Sequence, residues 1–511
     1  MKLFSVTLLS LLVCANSYAD TAPSSTINTL PITFRTDYQI INMPTGEKNF
    51  GLLGLHGLVH FNSWIYGGVG LYGATNGNEN GFFALGLEGG VNHQIIGHWY
   101  GDAGIFVGAG GGHNLSASIG DGRFWEPHIG IQYQWTHFRT GISFSHLKFT
   151  QGNISSNQAM FTIDVPFDLT ISSERQNQAL AALMAPNQMP SLLFTQNYVS
   201  VVGSTLLPKK GTLNNSGEVD DHWIGLTGVE AGHYFTQNSF GYLNFQGAAH
   251  GHDNGFASLV GGYGYRFNAF NSPDANLVGL LGAGSAGGGG INTGGGFVVN
   301  PQIGLQYLAW RPVGIELDGG YLWAPSSHYR AFTSQLQIQY YFDTASIDPT
   351  GALGQPLSAP VYLQGWRIRL GDQAYLNPQR NDDSNANIQL FSAKADYFIN
   401  DLWYLSGQTA FAYTGDAAGY FSGLIGPGFQ TPAFVGDWLH AYAELLGGAA
   451  GGAGLSLGEG AIIEPLVGLS ADITPNIGVY ASVGRTIAPG HSMNTTTLDA
   501  GFSYRFSTLT H

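Results

Sequence analysis

The stretch FWEPHIGIQYQW, residues 124–135, alternates two kinds of side chain. An extended chain turns successive side chains to opposite faces. One face then carries Phe124, Glu126, His128, Gly130, Gln132 and Gln134. The other carries Trp125, Pro127, Ile129, Ile131, Tyr133 and Trp135. The stretch therefore predicts a strand with one apolar and one mostly polar face, and about ten such residues cross a bilayer when tilted by about 45°.

The surroundings of this strand occur three times in the chain. GDGRFWEPHIG at 120–130 returns as GGGFVVNPQIG at 294–304 and GEGAIIEPLVG at 458–468, each with a proline after an acceptor side chain. An upstream turn glycine returns with the same separations of 174 and 164 residues, at Gly81, Gly255 and Gly419. Offsets shared at separate places predict three homologous units, far longer than a solenoid repeat.

Each unit contains about eight alternating segments. The units span 31–167, 192–342 and 360–506, and each closes on a phenylalanine. The connector 168–191 contains a predicted short helix, capped by Ser172 or Ser173 and ended by Pro186, and a second connector spans 343–359. Tight turns alternate with longer, polar, glycine-rich loops, as in transmembrane barrels.

The first nineteen residues have the pattern of a secretory signal peptide. Lys2 precedes the apolar run LFSVTLLSLLVCA, and Ser17-Tyr18-Ala19 provides small residues before the predicted cleavage point. Cleavage after Ala19 removes Cys14, so we expect a mature chain without disulfides or cysteine-ligated metal.

Composition narrows the class of protein. Charged residues make up 10% of the chain, against roughly 25% in soluble domains, and glycine accounts for 75 of 511 residues. So few charges favour a chain that turns much of its surface to lipid. The net charge of −15, which becomes −16 without Lys2, argues against nucleic acid as a partner.

The last strand carries a sharper motif. Asp499-Ala-Gly501-Phe-Ser-Tyr504-Arg-Phe506 has the order polar-x-Gly-x-x-aromatic-x-aromatic. With the leader and the amphipathic strands, it makes the chain resemble Gram-negative outer-membrane β-barrel proteins. The resemblance implies export to the cell outer membrane and contact with its lipids and lipopolysaccharide. It also implies that Gly501, Tyr504 and Phe506 form a signal read by the barrel assembly machinery.

Two barrel arrangements fit the strand count. Twenty-four strands close once, or eight strands close three times. Since the full assembly motif occurs on the last strand and one closed sheet leaves no edges, we favour an all-β, antiparallel barrel of about 24 strands. Three tandem eight-stranded barrels are the alternative, favoured by the unit length and the long connectors.

The strand register predicts which side chains enter the barrel. Glu126, Asn300, Glu464 and Asp472 are candidate lumen-facing residues. Their acidic bias favours a passive, mildly cation-preferring diffusion or uptake channel for small solutes or ions. A non-conducting structural or surface-interaction protein is the alternative. The prolines that follow three of these residues predict either a β-bulge near the outer rim or a shaped loop.

Patterns that indicate chemistry are weak. Gly282-Ala-Gly284-Ser-Ala-Gly287 matches a dinucleotide fingerprint, but glycines follow it where a helix is needed, so we expect a hairpin loop. His250, His252 and Asp253 have a spacing compatible with a Zn or Cu site, but polar residues at the barrel rim are the favoured interpretation. Ser492 follows His491, but adjacent strand residues point to opposite faces, so we expect no catalysis by this pair. A lipid-modifying outer-membrane enzyme is the less favoured alternative to the functions above, and no cofactor is expected.

Overall fold

The computed structural model describes residues 27–44, 47–112, 116–173, 179, 191–270, 272, 274–347, 360–381, 386–434, 436 and 438–510. The predicted leader and most of both connectors, including the predicted short helix before Pro186, lie outside these ranges.

Twenty-four strands and one helical turn make up the described chain. The first unit has β1 (Ile27–Ile41), β2 (Phe50–His60), β3 (Ile65–Asn76), β4 (Phe83–Ile96), β5 (Trp99–Gly111), α1 (Ser116–Ile119), β6 (Arg123–Gln134), β7 (Arg139–Phe149) and β8 (Ser155–Ser172). The second has β9 (Leu192–Pro208), β10 (Ile224–Tyr234), β11 (Ser239–His250), β12 (Ala257–Phe267), β13 (Ala275–Gly287), β14 (Phe297–Trp310), β15 (Val313–Trp323) and β16 (Arg330–Ile347). The third has β17 (Tyr362–Leu376), β18 (Ile388–Phe398), β19 (Trp403–Thr414), β20 (Phe421–Gln430), β21 (Leu439–Gly451), β22 (Ala461–Asp472), β23 (Ile477–Ile487) and β24 (Asn494–Thr510).

The strands pair in three rings of eight. Every neighbouring pair is antiparallel, and the rings close by pairing β1 with β8, β9 with β16 and β17 with β24. The all-β, antiparallel barrel fold is thus confirmed, whereas the favoured single ring of about 24 strands is wrong. A short ladder, Ser507 with Ser172 and Thr508 with Ile171, joins the first and third rings into one sheet.

The predicted alternation of faces is confirmed on β6. Glu126 and Gln132 are each 1% exposed inside the first barrel, while Ile129 and Ile131 on the outer face are 65% and 53% exposed. Similar exposed apolar side chains cover the outer faces of all three rings, among them Ile142, Phe144, Ile303, Leu336, Val467 and Leu469. The outer apolar face therefore points away from each barrel. The inward face carries the polar side chains together with a buried apolar cluster, which in the first barrel includes Phe50, Phe106 and Phe124.

The predicted bulge at the repeated prolines is absent from the described ladders. Val299 pairs with Trp323 and Gln302 with Gly320, so the register of β14 against β15 is the same on both sides of Pro301. The ladders of β6 and β22 keep their registers past Pro127 and Pro465 in the same way. Proline lacks an N–H, so the pairing with the next strand is interrupted there without insertion of a residue.

The three rings pack against one another in cyclic order. β3 contacts β13, β11 contacts β21, and β19 contacts β5. Side chains from all three rings meet in a buried apolar cluster that includes Phe83, Leu85, Ala257, Leu259, Phe411 and Phe421. We call the end of the barrels that carries the longer loops the outer end. Turns at this end touch in the same cyclic order: Gly81 lies against Gly288, Gly255 against Gly452, and Gly419 against Gly111.

The last strand of each unit runs past the predicted closing phenylalanine. β8 ends at Ser172, β16 at Ile347 and β24 at Thr510. At this end a small apolar cluster contains Ile27, Ala345, Val361, Leu363 and Leu509. The residues after Phe506 therefore extend β24 and help to join the rings.

Candidate functional sites in the barrel interiors and outer loops

The interior of the first barrel is crossed by one arginine and three carboxylates. Arg35 bonds Asp164 through two nitrogens, each at 2.9 Å, and it also pairs with Glu88 at 2.9 Å and Asp102 at 3.1 Å. All four side chains are buried. Because a buried charge is costly unless it is paired and hydrogen-bonded, this network fixes four strands around one cation.

A histidine extends the network toward the outer end of the barrel. His56 Nδ1 lies 2.6 Å from Glu88 Oε2, and its Nε2 lies 2.6 Å from Asp37 Oδ2. His128 Nε2 lies 3.0 Å from Asp102 Oδ1. The imidazoles and carboxylates fill this level of the first lumen with polar contacts, and His56 packs against the buried rings of Tyr72 and Phe106.

The third barrel holds a second charge network. Arg367 Nε and Arg369 Nη2 lie 2.6 Å and 2.7 Å from the two oxygens of Asp396. Lys394 Nζ lies 2.8 Å from Asp499 Oδ2, and Arg369 also pairs with Glu444. These side chains are buried as completely as those of the first barrel.

The middle barrel differs from its neighbours in charge. Glu230, Glu316 and Asp318 are buried in its lumen, and within the described residues none of them forms an ion pair. They accept hydrogen bonds from neutral groups instead, such as Tyr198 Oη to Glu230 at 2.7 Å and Gln306 Nε2 to Glu316 at 2.7 Å. The middle barrel therefore differs in pairing: its three carboxylates have no counter-ion within 4 Å among the described residues, and its buried Arg266 bonds the Tyr234 hydroxyl instead.

Strand register explains this difference at one position. Arg35 pairs with Asp164, Ser200 with Gln339, and Arg369 with Ser503. Each partner lies three residues before the phenylalanine that closes its unit. Arg35, Ser200 and Arg369 are thus equivalent positions on the first strand of each unit. The middle barrel has serine where the other two barrels have arginine.

The next strand repeats the contrast. Arg35 and Arg369 face His56 and Lys394, whereas Ser200 faces Glu230. None of these residues was predicted as a site residue from the sequence. The feature of the sequence that could have identified them is a basic or polar residue at an inward-facing position on the first two strands of each unit.

The predicted lumen residues all lie on inward-facing positions, but in different surroundings. Glu126 is buried and accepts a bond from Gln158 at 3.3 Å. Glu464 is buried and accepts bonds from Gln373 at 2.9 Å and Thr486 at 2.8 Å. Their part in ion passage stays a prediction.

The other two predicted lumen residues lie in the middle and third barrels. Asn300 lines a cavity in the middle barrel with Tyr242, Asn244, Gln246 and Gln335. The cavity measures about 20 Å³, room for about one water molecule. Asp472 lies at the inner end of the third barrel, between His440 and Arg505, each at 3.3 Å.

The predicted assembly residues lie on β24. Gly501 pairs with Gly371 on one side and Tyr480 on the other. The rings of Tyr504 and Phe506 stack at a centroid distance of 6.0 Å. Recognition of this strand by assembly machinery stays a prediction.

The remaining sequence motifs lie in strands and outer turns. Gly282–Gly287 forms the end of β13, so the expected hairpin loop is wrong for these residues. The Ser492 hydroxyl bonds the Ser456 hydroxyl at 2.5 Å. In the part of the chain that the structure describes, no helix is long and apolar enough to cross a membrane.

The predicted metal residues separate into two groups. His250 pairs with Glu459 of the third unit and packs against Trp223, with the ring centroids 4.4 Å apart. His252 and Asp253 turn instead toward residues 220–222 of the preceding loop. Within the described ranges, no three His, Cys, Asp or Glu side chains converge at metal-binding distance.

Comparison with known proteins gives structural similarities alone. No family model and no curated protein matches the chain. Solved structures similar to it include the siderophore receptor PirA from Acinetobacter baumannii (TM-score 0.28, 9% identity, 94% of this chain and 80% of that one) and a mutant ferric enterobactin receptor, PfeA, from Pseudomonas aeruginosa (0.28, 9%, 93% and 80%). The NanC porin is a third (0.17, 9%, 60% and 98%). These are two receptors and a porin, and the strand pairing described above makes this chain an all-β barrel protein too.

Proposed function

We propose that the chain is an integral β-barrel protein of a Gram-negative outer membrane. Three features support this: the apolar outer faces, the closed rings, and the sequence resemblance with its predicted leader. Ring closure satisfies the backbone N–H and C=O groups without water, as a spanning structure requires. The buried apolar cluster among the rings lets them insert as one body.

We further propose that the first and third barrels do not conduct and that the protein acts as a structural or surface-interaction platform. The observation that carries this proposal is the Arg35 network, which spans the first lumen from Asp164 on β8 to Glu88 on β4. An eight-stranded barrel is just wide enough for its side chains to fill it. Passage of a solute would require that these buried ion pairs separate.

The passive, cation-preferring channel remains a second candidate, confined to the middle barrel. There the acidic lumen formed by Glu230, Glu316 and Asp318 favours cations over anions. Its cavity is too small for a hydrated ion, so conduction would require a wider state of β9–β16.

Fractionation and electrical recording test these proposals separately. We expect the full chain in the outer-membrane fraction, with gel mobility that changes on heating. Recovery in buffer without detergent would refute the membrane assignment. In planar bilayers we expect no conductance steps. Cation-selective steps that disappear in Glu230→Gln would instead establish the middle barrel as a channel, and steps unaffected by that change would refute the sealed state of the other barrels.

A further inference from the structure

Two outer loops of the middle barrel bring four ligand-type side chains together. Asp220 and His222 lie in the loop between β9 and β10, and His252 and Asp253 lie in the turn between β11 and β12. Backbone bonds hold both segments, from Asp220 N to Thr212 O at 2.8 Å and from Phe256 N to Asp253 O at 3.0 Å. The four side chains thus lie on braced loops outside the strands.

The two carboxylates lie close together. Asp253 is 2% exposed, and the charge of Asp220 acts directly on its carboxyl. Two carboxylates this close require a proton or a cation between them.

A tyrosine provides independent support for a ligand at this place. Tyr329 is 1% exposed, and its hydroxyl has no hydrogen-bond partner among the described residues. Burial and the nearby charges of Asp253 and Asp220 raise the pKa of this phenol. A buried hydroxyl without a partner is costly, and a ligand between the carboxylates would satisfy it, directly or through water.

The imidazoles lie at the open side of the carboxylate pair. His222 Nδ1 is 3.5 Å from Asp220 Oδ1, and the rings of His222 and His252 are 6.1 Å apart. The His222 side chain is 67% exposed and His252 is also exposed, so both are free to turn. A site that closes by rotation of two surface imidazoles fits the lack of a converged metal cluster within the described residues.

We propose that Asp220, His222, His252 and Asp253 bind one divalent transition-metal ion, with Zn²⁺ as the best fit. Two imidazoles and two carboxylates form a borderline-soft donor set that matches Zn²⁺ better than Ca²⁺ or Mg²⁺, which prefer oxygen alone. His250 is excluded from the set because Glu459 and Trp223 occupy it.

The first barrel offers a matched control for this site. By the repeat spacing, Asn78 and Glu79 stand where the middle barrel has His252 and Asp253. Glu79 is buried like Asp253, at 8% exposed. The control site therefore has a buried acid at the equivalent position without the imidazoles.

Zn²⁺ titration of the full chain in detergent tests the proposal. Calorimetry or competition with a chromophoric chelator should find one site per chain, weakened at least about tenfold in His252→Ala and in Asp253→Asn. Glu79→Gln and His250→Ala should bind as the wild type does, and heat-modifiable mobility reports that each variant is folded.

Three results would overturn the site: no Zn²⁺ binding, equal loss in Glu79→Gln, or tighter binding of Ca²⁺ than of Zn²⁺. Since the measurement uses folded protein in detergent, its outcome is independent of bilayer conductance and of the membrane fraction in which the protein is found.

Discussion

Arg35 and Asp164 face each other across the seam where β1 pairs with β8, and two hydrogen bonds of 2.9 Å join the guanidinium to the carboxylate. They are 129 residues apart in the chain, so this pair fastens the first barrel at its point of closure. Closure of the ring therefore brings the buried charge of Arg35 against the carboxylate of Asp164, which neutralises it.

Removal of one partner should be far more costly than removal of an exposed charge on the same strand. Asp164→Ala leaves Arg35 short of one buried carboxylate, and we expect a loss of about 3–5 kcal/mol in the free energy of unfolding. Asp168→Ala, at an exposed position of β8, should change it by less than about 0.5 kcal/mol. Urea unfolding from lipid vesicles measures both, and equal losses would contradict the assigned role.

The middle and third barrels should respond differently to neutralisation of an acid. Asp396→Asn removes the shared partner of Arg367 and Arg369 and should cost about 3–5 kcal/mol. Glu230→Gln removes a buried charge that has no ion pair within the described residues and should cost less than about 1 kcal/mol. The same unfolding assay compares them, and a larger loss in Glu230→Gln would show that the middle barrel depends on that charge.

The contact between outer turns predicts a difference between two glycines. A Cβ at Gly81 would lie 2.6 Å from Gly288 Cα, whereas at Gly97 nothing lies within 4 Å. Both have positive φ, +75° and +54°, so Ala strains both backbones. We expect Gly81→Ala to cost about 2 kcal/mol more than Gly97→Ala, because it also forces the first and middle barrels apart.

Protease cleavage of the outer loops gives a second measurement of that separation. Gly81→Ala should be cleaved faster than the wild type, and Gly97→Ala at the wild-type rate. If the two variants behave alike, the turns do not hold the barrels together.

The sequence predicted the faces of the strands because alternation is local. Ile129 and Gln132 lie on opposite faces as their spacing requires. Ring closure was not predictable in this way. β8 and β24 both present an apolar outer and a polar inner face, and that pattern is satisfied by pairing with any strand of the same kind.

The partners inside the barrels were hidden for a related reason. Periodicity assigned Glu126 and Glu464 to the interior, but a counter-ion such as Arg35 comes from another strand of the ring. The predicted bulge at Pro301 was wrong because proline removes one ladder hydrogen bond without changing the register of the strand. Register between distant strands depends on all their pairs together, and single residues specify it weakly.

The Asp220–Asp253 pair should make stability depend on pH in metal-free buffer. The pKa of Asp253 is about 7 in the folded protein and near 3.8 when unfolded, so only the folded form keeps the proton between these values. The stabilisation is complete below about pH 4 and decreases as the pH rises to about 7. Asn at position 253 stays neutral throughout, so the unfolding midpoint of Asp253→Asn should rise relative to that of the wild type between about pH 4 and about pH 7. Titration of Glu79 and of the barrel interiors is the same in the wild type and in Asp253→Asn, so it cancels in the difference between their midpoints. Midpoint curves that run parallel over this pH range would show that the carboxylates of Asp220 and Asp253 do not share a proton.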